Sequence, residues 1–283
     1  MTTVPTVAPV ADAPPTAGRR RIRWGQVAVG IALPLLLVVI WQVSASIIEP
    51  REWILPSPVT IARTGWEVRD RLWYHAQWTI LITVLGFALA AVVGSAVAAL
   101  IARSRIAGRL LYPWIIVSQT IPLVALAPLL VLWMPELGAM IVLAALMSVF
   151  PVIVAGVDGL RGTDPELMRA VRALGASRGW TWWHVRAPGA LPRLFTGLRL
   201  AAVFSVTGAV VGELVASSRG LGALTRLSAG QFETPVTFAA VVVLALIGIA
   251  MFALVTLAEW LSLPYLRRGT RPGINRPTAE VSP

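Results

Sequence analysis

Residues 164–192 read DPELMRAVRALGASRGWTWWHVRAPGALP, the longest polar interval between two apolar runs of membrane-spanning length. Asp164 is suited to capping a helix, Pro165 to its first turn and Glu166 to the positive N-terminal end. Leu167, Ala170, Val171 and Leu174 recur at helical spacing, so this helix is expected to have one apolar face. Gly175 is a natural left-handed stop. Ser177 can cap a second helix, which carries Trp180, Trp182 and Trp183 and is expected to end near Pro188. Five arginines fall between Arg169 and Arg193. A helix, a glycine turn and a second helix beside a membrane suit docking into a groove of a soluble partner.

The chain around this interval is 57% hydrophobic and 13% charged. Soluble domains carry about 25% charged residues, so the composition is that of an integral membrane protein. The net charge of +11 is not gathered on one helix or face. It falls in the gaps between apolar runs, where it orients spans rather than binds nucleic acid. There is no cysteine, which excludes disulfides, cysteine-ligated metals and thiol catalysis. There is no lysine either, so a P-loop cannot occur and the chain itself is expected to bind no nucleotide or other cofactor. His75 and His184 lie far apart in polar intervals and read as surface or interfacial residues, with no metal site.

Six spans are expected, at about residues 27–48, 78–102, 110–133, 137–160, 194–216 and 236–261. Residues 1–23 read as a disordered basic tail, 24–266 as the membrane domain with its loop at 161–193, and 267–283 as a second disordered tail. Leu55-Pro56-Ser57-Pro58 turns the chain before an amphipathic helix over Val59–Tyr74, with Trp66 and Trp73 at headgroup level. Gly86 and Gly94 allow close packing of the second span. Pro113, Pro122 and Pro128 break the third. With six spans, 18 arginines fall on the side of the termini and the 161–193 loop, and 6 on the other. Both termini and the loop are therefore expected to be cytoplasmic.

Within the spans, polar chemistry is sparse. Ser118, Gln119 and Thr120 stand at the proline-broken third span, where they can bond a polar solute or support the kink. Glu213, near the outer end of the fifth span, is costly there unless paired or wet. It is expected on the solute path or paired with Arg219 or Arg226. Asp158 is expected to pair with Arg161. There is no internal repeat and no catalytic constellation. A stand-alone ion- or proton-coupled carrier is the alternative from another class, and Glu213 is nearly all the spans offer it.

The 164–192 interval resembles the cytoplasmic loop of permease subunits of bacterial ATP-binding-cassette importers, with the pattern E-A-A-x3-G-x9-I-x-L-P. Ala170 takes the first alanine position, Gly175 the glycine, Val185 the isoleucine and Pro188 the proline. Arg169 replaces the glutamate, Val171 the second alanine and Ala187 the leucine. SQTIPLVALAPLLVLW (118–133), FPVIVAGVDGLRGTDPEL (150–167) and GLRLAAVFSVTGAVVGELVASSRGLG (197–222) resemble the nitrate/sulfonate/taurine-type group. The SQT–P element and QFETPVTFAAVVVLALIGIA (231–250) look most like permeases for thiamine-precursor pyrimidines and related riboflavin systems.

The resemblance implies an all-α membrane protein of six transmembrane helices with the type I importer permease fold. It implies a non-enzymatic translocation path in the bacterial inner membrane, formed by a homodimer. It implies ATPase subunits that hold ATP and magnesium, seated on a coupling helix within the loop, and an extracytoplasmic solute-binding protein. The solute is expected to be a thiamine-precursor pyrimidine, a nitrate-, sulfonate- or taurine-like anion, or riboflavin.

Overall fold

The computed structural model describes residues 24–48 and 54–264, and every regular element among them is helical. The expected tails at 1–23 and 267–283 lie outside the described residues. Helix α1, Trp24–Ile48, carries Pro34 and belongs to a compact unit of its own. The other unit holds all the remaining helices.

That unit opens at the LPSP turn. Ser57 caps α2 (Pro58–Glu67), its Oγ accepting from Thr60 N at 3.1 Å, and Pro58 occupies the first turn. The amphipathic segment expected over 59–74 is divided at Val68, and its second half is the start of α3 (Arg69–Arg103). At 35 residues, α3 is about 50 Å long against a hydrocarbon core of about 30 Å, so its polar first turns stand clear of the apolar layer. Trp66 and Trp73 are both exposed there.

The expected third span is two helices. α4 (Arg105–Ser118) and α5 (Leu123–Trp133) meet at a bend of 99°. Pro113 and Pro128 are accommodated inside them, and the break falls at residues 119–122. α6 (Glu136–Arg161) follows, and a long helix ending at Ala216 is described below. α10 (Leu221–Gly230) and α11 (Thr234–Ser262) complete the unit. Four of the helices are long and apolar enough to cross a membrane singly, and the bent pair would make a fifth. The described apolar part of α1, Ala32–Ile48, is shorter.

α6 is the centre, packed between α3 and the helix that ends at Ala216. In lipid the hydrophobic effect no longer drives helices together, and close backbone approach takes its place. A Cβ on Gly86 would lie 2.5 Å from Ala144 Cβ, and one on Gly94 2.8 Å from Val152 Cβ. From the helix ending at Ala216, a Cβ on Gly208 would lie 2.6 Å from Ala144 Cα, so both neighbours approach α6 at the same residue. Two buried hydroxyls on these helices are satisfied locally: Ser148 donates to Ala144 O at 2.6 Å and Ser205 to Ala202 O at 2.8 Å.

Arginines fasten the helix ends. Arg161 donates to Ile101 O at 3.0 Å and Arg193 to Asp158 O at 2.8 Å. The expected Asp158–Arg161 pair is therefore not made: Arg161 reaches across to α3, and Asp158 is engaged through its backbone carbonyl. Arg199–Glu259 (3.4 Å) and Arg71–Glu233 (3.2 Å) tie the two ends of α11.

Candidate functional site

The loop after α6 forms as its capping residues dictate. In α7 (Pro165–Ala173), Asp164 Oδ1 accepts from Glu166 N at 2.8 Å. At the other end Ala176 N bonds Val171 O at 3.3 Å and Gly175 N bonds Arg172 O at 3.0 Å, with Gly175 at φ +79°. This is a Schellman stop, in which the positive φ is what lets both carbonyls be reached. The apolar residues of α7 divide between two sides. Met168 is buried and Val171 half-buried, whereas Leu167, Ala170 and Leu174 form an exposed ridge, Leu174 at 87% exposure. Arg169 is on the exposed side and reaches Glu166 at 3.7 Å.

The second helix does not end near Pro188. Ser177 caps α8 (Arg178–Thr181), as expected, its Oγ accepting from Trp180 N at 3.2 Å. Residues Trp182–Arg186 then widen into a π turn, with Ala187 N bonded to Trp182 O, and α9 (Ala187–Ala216) continues without interruption. Pro188 sits in the first turn of α9, where its missing N–H is no loss after the wider turn. One helical rod of 39 residues, Arg178–Ala216, thus joins the loop to the membrane. Val185 and Pro188 are half-buried where the rod begins, and Gly175 is exposed.

At the opposite end of the rod lies Glu213, wholly buried. It pairs with neither Arg219 nor Arg226. Its Oε2 accepts from Gly222 N at 2.7 Å, in the first turn of α10, so the carboxyl group caps α10 from the preceding helix. Gly220, at φ +95°, is where the chain turns, and a Cβ there would collide with the Glu213 carboxyl. Thr79 Oγ1 accepts from Leu221 N at 2.9 Å. His75, one helical turn before Thr79 on α3, is buried and so is not a surface residue. The arginines find other partners: Arg226 donates to Ser217 O at 3.0 Å and Arg219 lies 5.5 Å over Trp78. Ser217 donates to Glu136 at 2.5 Å, tying the corner to α6. Sequence reading missed Thr79 and His75. The available signals were their i, i+4 spacing on α3 and the G-x-G at 220–222.

At the α4–α5 break all three polar residues are exposed. Ser118 donates to Ile115 O and Thr120 to Val117 O, each at 2.7 Å, and Val117 O also accepts from Thr120 N at 3.0 Å, so both hydroxyls support the backbone at the bend. Gln119 N bonds Ile116 O, while its amide makes no side-chain bond among the described residues. The three site groups are spatially separate features: the loop, the Glu213 corner and the break.

Residues 90–261 match the family described as binding-protein-dependent transport system inner membrane component. The chain is 34% identical over 236 residues to the formylaminopyrimidine transport permease protein ThiX of Halalkalibacterium halodurans, covering 83% of this chain and 94% of that one. It is 35% identical over 243 residues to the riboflavin transport system permease protein RibX of Chloroflexus aurantiacus, covering 85% and 90%. A structure of the MetNI methionine ABC transporter in inward-facing conformations matches with a TM-score of 0.54 at 21% identity, covering 69% of this chain and 97% of that chain.

Proposed function

The chain belongs to the inner membrane components of binding-protein-dependent transport systems and is a permease of the ATP-binding-cassette importers; from that premise we propose how it couples and what it carries. A separate ATPase subunit, holding ATP and magnesium, seats on the loop at 161–193. Arg169, Ala170, Val171 and Gly175 present the docking helix, and Val185 and Pro188 join it to the membrane rod. The loop and both termini face the cytoplasm, two copies of the chain form the path, and a solute-binding protein delivers from outside.

What carries the coupling role is the exposed ridge of Leu167, Ala170 and Leu174 on a capped, glycine-stopped helix. An apolar ridge of this kind on the polar side of a membrane domain calls for a covering surface. Because Arg178–Ala216 is one rod, a shift of the loop is passed to the spans as a lever rather than absorbed in a hinge. A partner that contacts the loop differently in two nucleotide states would bias the path between two accesses.

The solute is a small nitrogen heterocycle, a thiamine-precursor pyrimidine first and riboflavin second. ThiX and RibX, by their names, carry such solutes. Gln119 is the path residue best placed to meet it, since Ser118 and Thr120 are committed to the backbone. The stand-alone carrier has no support: the one buried acid among the described residues, Glu213, is committed to capping α10.

The test is uptake of labelled formylaminopyrimidine in cells expressing the complete transporter. Leu174→Asp is expected to abolish uptake together with co-purification of the ATPase subunit. Gln119→Ala is expected to weaken uptake while leaving that assembly intact. Full ATPase retention in Leu174→Asp would remove the loop from the coupling role.

A further inference from the structure

Between the loop and the end of α3 lies a cavity of about 640 Å³. Four arginines line it: Arg103 at the end of α3, Arg172 on α7, and Arg178 and Arg186 on the rod, the first opening α8 and the second ending the π turn. No aspartate or glutamate lines it. None of the four makes an ion pair or side-chain hydrogen bond among the described residues, although Arg161, Arg193 and Arg199 nearby all do. Arg186 Nε is buried without any hydrogen-bond partner. The family pattern of the loop uses none of these four side chains.

Guanidinium groups held around one partly enclosed space repel one another, and a desolvated donor left unmade is costly. Both costs are relieved by one multiply charged anion. Arginine forks match the planes of phosphate oxygens, and a phosphate accepts from several of them at once. Met168, Ala176, Gly179, Thr181 and Trp182 make up the rest of the wall; the Thr181 hydroxyl is spent on Ser177 O at 2.9 Å, so the charge that meets an anion there is arginine's.

We propose that this cavity binds a phosphate group and so braces the docking helix against α3. The phosphate can come from an anionic lipid headgroup or from a soluble phosphate ester, and the chemistry of recognition is the same. The proposal concerns the loop to which coupling was assigned above, but its test reads binding and not uptake, so either can fail without the other.

The full chain is purified in dodecyl maltoside, which contains no phosphate. Inorganic phosphate is titrated by calorimetry, and retention of phosphatidylglycerol is followed by native mass spectrometry. One saturable phosphate site or one retained lipid per chain is expected. Phosphate binding that disappears when phosphatidylglycerol is added identifies the lipid as the source; binding that persists identifies a soluble ester. Arg178→Gln and Arg186→Gln should each weaken the bound species by about tenfold or more. Arg63→Gln, which removes a charge from an exposed ion pair on α2, should leave it unchanged. Arg103→Gln changes a different element, so it provides the same test should the loop variants misfold. Binding of neither probe, or binding equally insensitive to Arg103→Gln, Arg178→Gln and Arg186→Gln, overturns the proposal.

Discussion

At the scale of single residues, the corner at Glu213 shows how one carboxyl group fixes a turn. Gly222 N is an orphan donor in the first turn of α10, and Glu213 Oε2 is its only acceptor at 2.7 Å. Glu213→Ala leaves that donor buried and unmet, so a loss of about 1–3 kcal/mol in stability is expected. Glu213→Gln keeps an acceptor oxygen in place and should stay near the parent protein. Thermal unfolding in detergent, read as the gap between the two variants, checks this; equal losses would show that charge rather than capping matters. Gly220 makes a second comparison. A methyl group there meets the Glu213 carboxyl and sits at positive φ, so Gly220→Ala should destabilise by more than about 1 kcal/mol. Gly230→Ala, at the helical end of α10 with open space around its Cβ, should be neutral or stabilising by about 0.5–1 kcal/mol. Sequence alone marked Glu213 as costly and offered it either the solute path or an arginine partner. A backbone N–H nine residues ahead leaves no signature in side-chain chemistry, and Thr79 lies 142 positions from the residue it serves.

At the scale of elements, what was legible is what is local. Asp164, Pro165, Gly175 and Ser177 act within a few residues of themselves, and their caps and stop are where the residue types put them. The fate of Pro188 was not legible, because a proline reads as a breaker unless the turn before it is known to widen. The same holds for the apolar face of α7. Spacing shows that such a face exists, but which side of the helix meets the body depends on Met168 finding a place there. The Gly175 turn makes a clean test, since nothing lies within 4 Å of a Cβ added there. Any effect of substitution must then come from φ alone. Gly175→Asn should retain ATPase association, because asparagine enters the left-handed region readily. Gly175→Val should lose it, since a β-branched residue is excluded from that region. Co-purification of the ATPase subunit with each variant decides the matter, and equal retention in both would mean that the turn need not be left-handed to dock.

At the scale of the whole molecule, apolar periodicity and run length made the helical membrane class plain, and small residues marked α3 for close packing without saying that α6 is the partner. The six expected spans were a coarser guide. Three prolines in one run said that the third crossing is irregular, but not that it bends by 99° at residues 119–122, because a proline marks where a helix can break and not the angle at which the chain resumes. Orientation rests on arginine number, a statistical bias of insertion, and so needs a direct measurement. The absence of cysteine makes that simple, for any thiol introduced is the sole one. Ala176 and Ser218 lie beyond opposite ends of the Arg178–Ala216 rod, in the loop and in the Glu213 corner. Ser218 is exposed and Ala176 partly so. With the loop cytoplasmic, Ser218→Cys should react with a membrane-impermeant maleimide in intact cells, and Ala176→Cys only after the membrane is opened. A single crossing by the rod requires the two sites to answer oppositely. Labelling of both from outside would mean that the rod does not cross, and the reversed pattern would place the docking ridge where no ATPase can reach it.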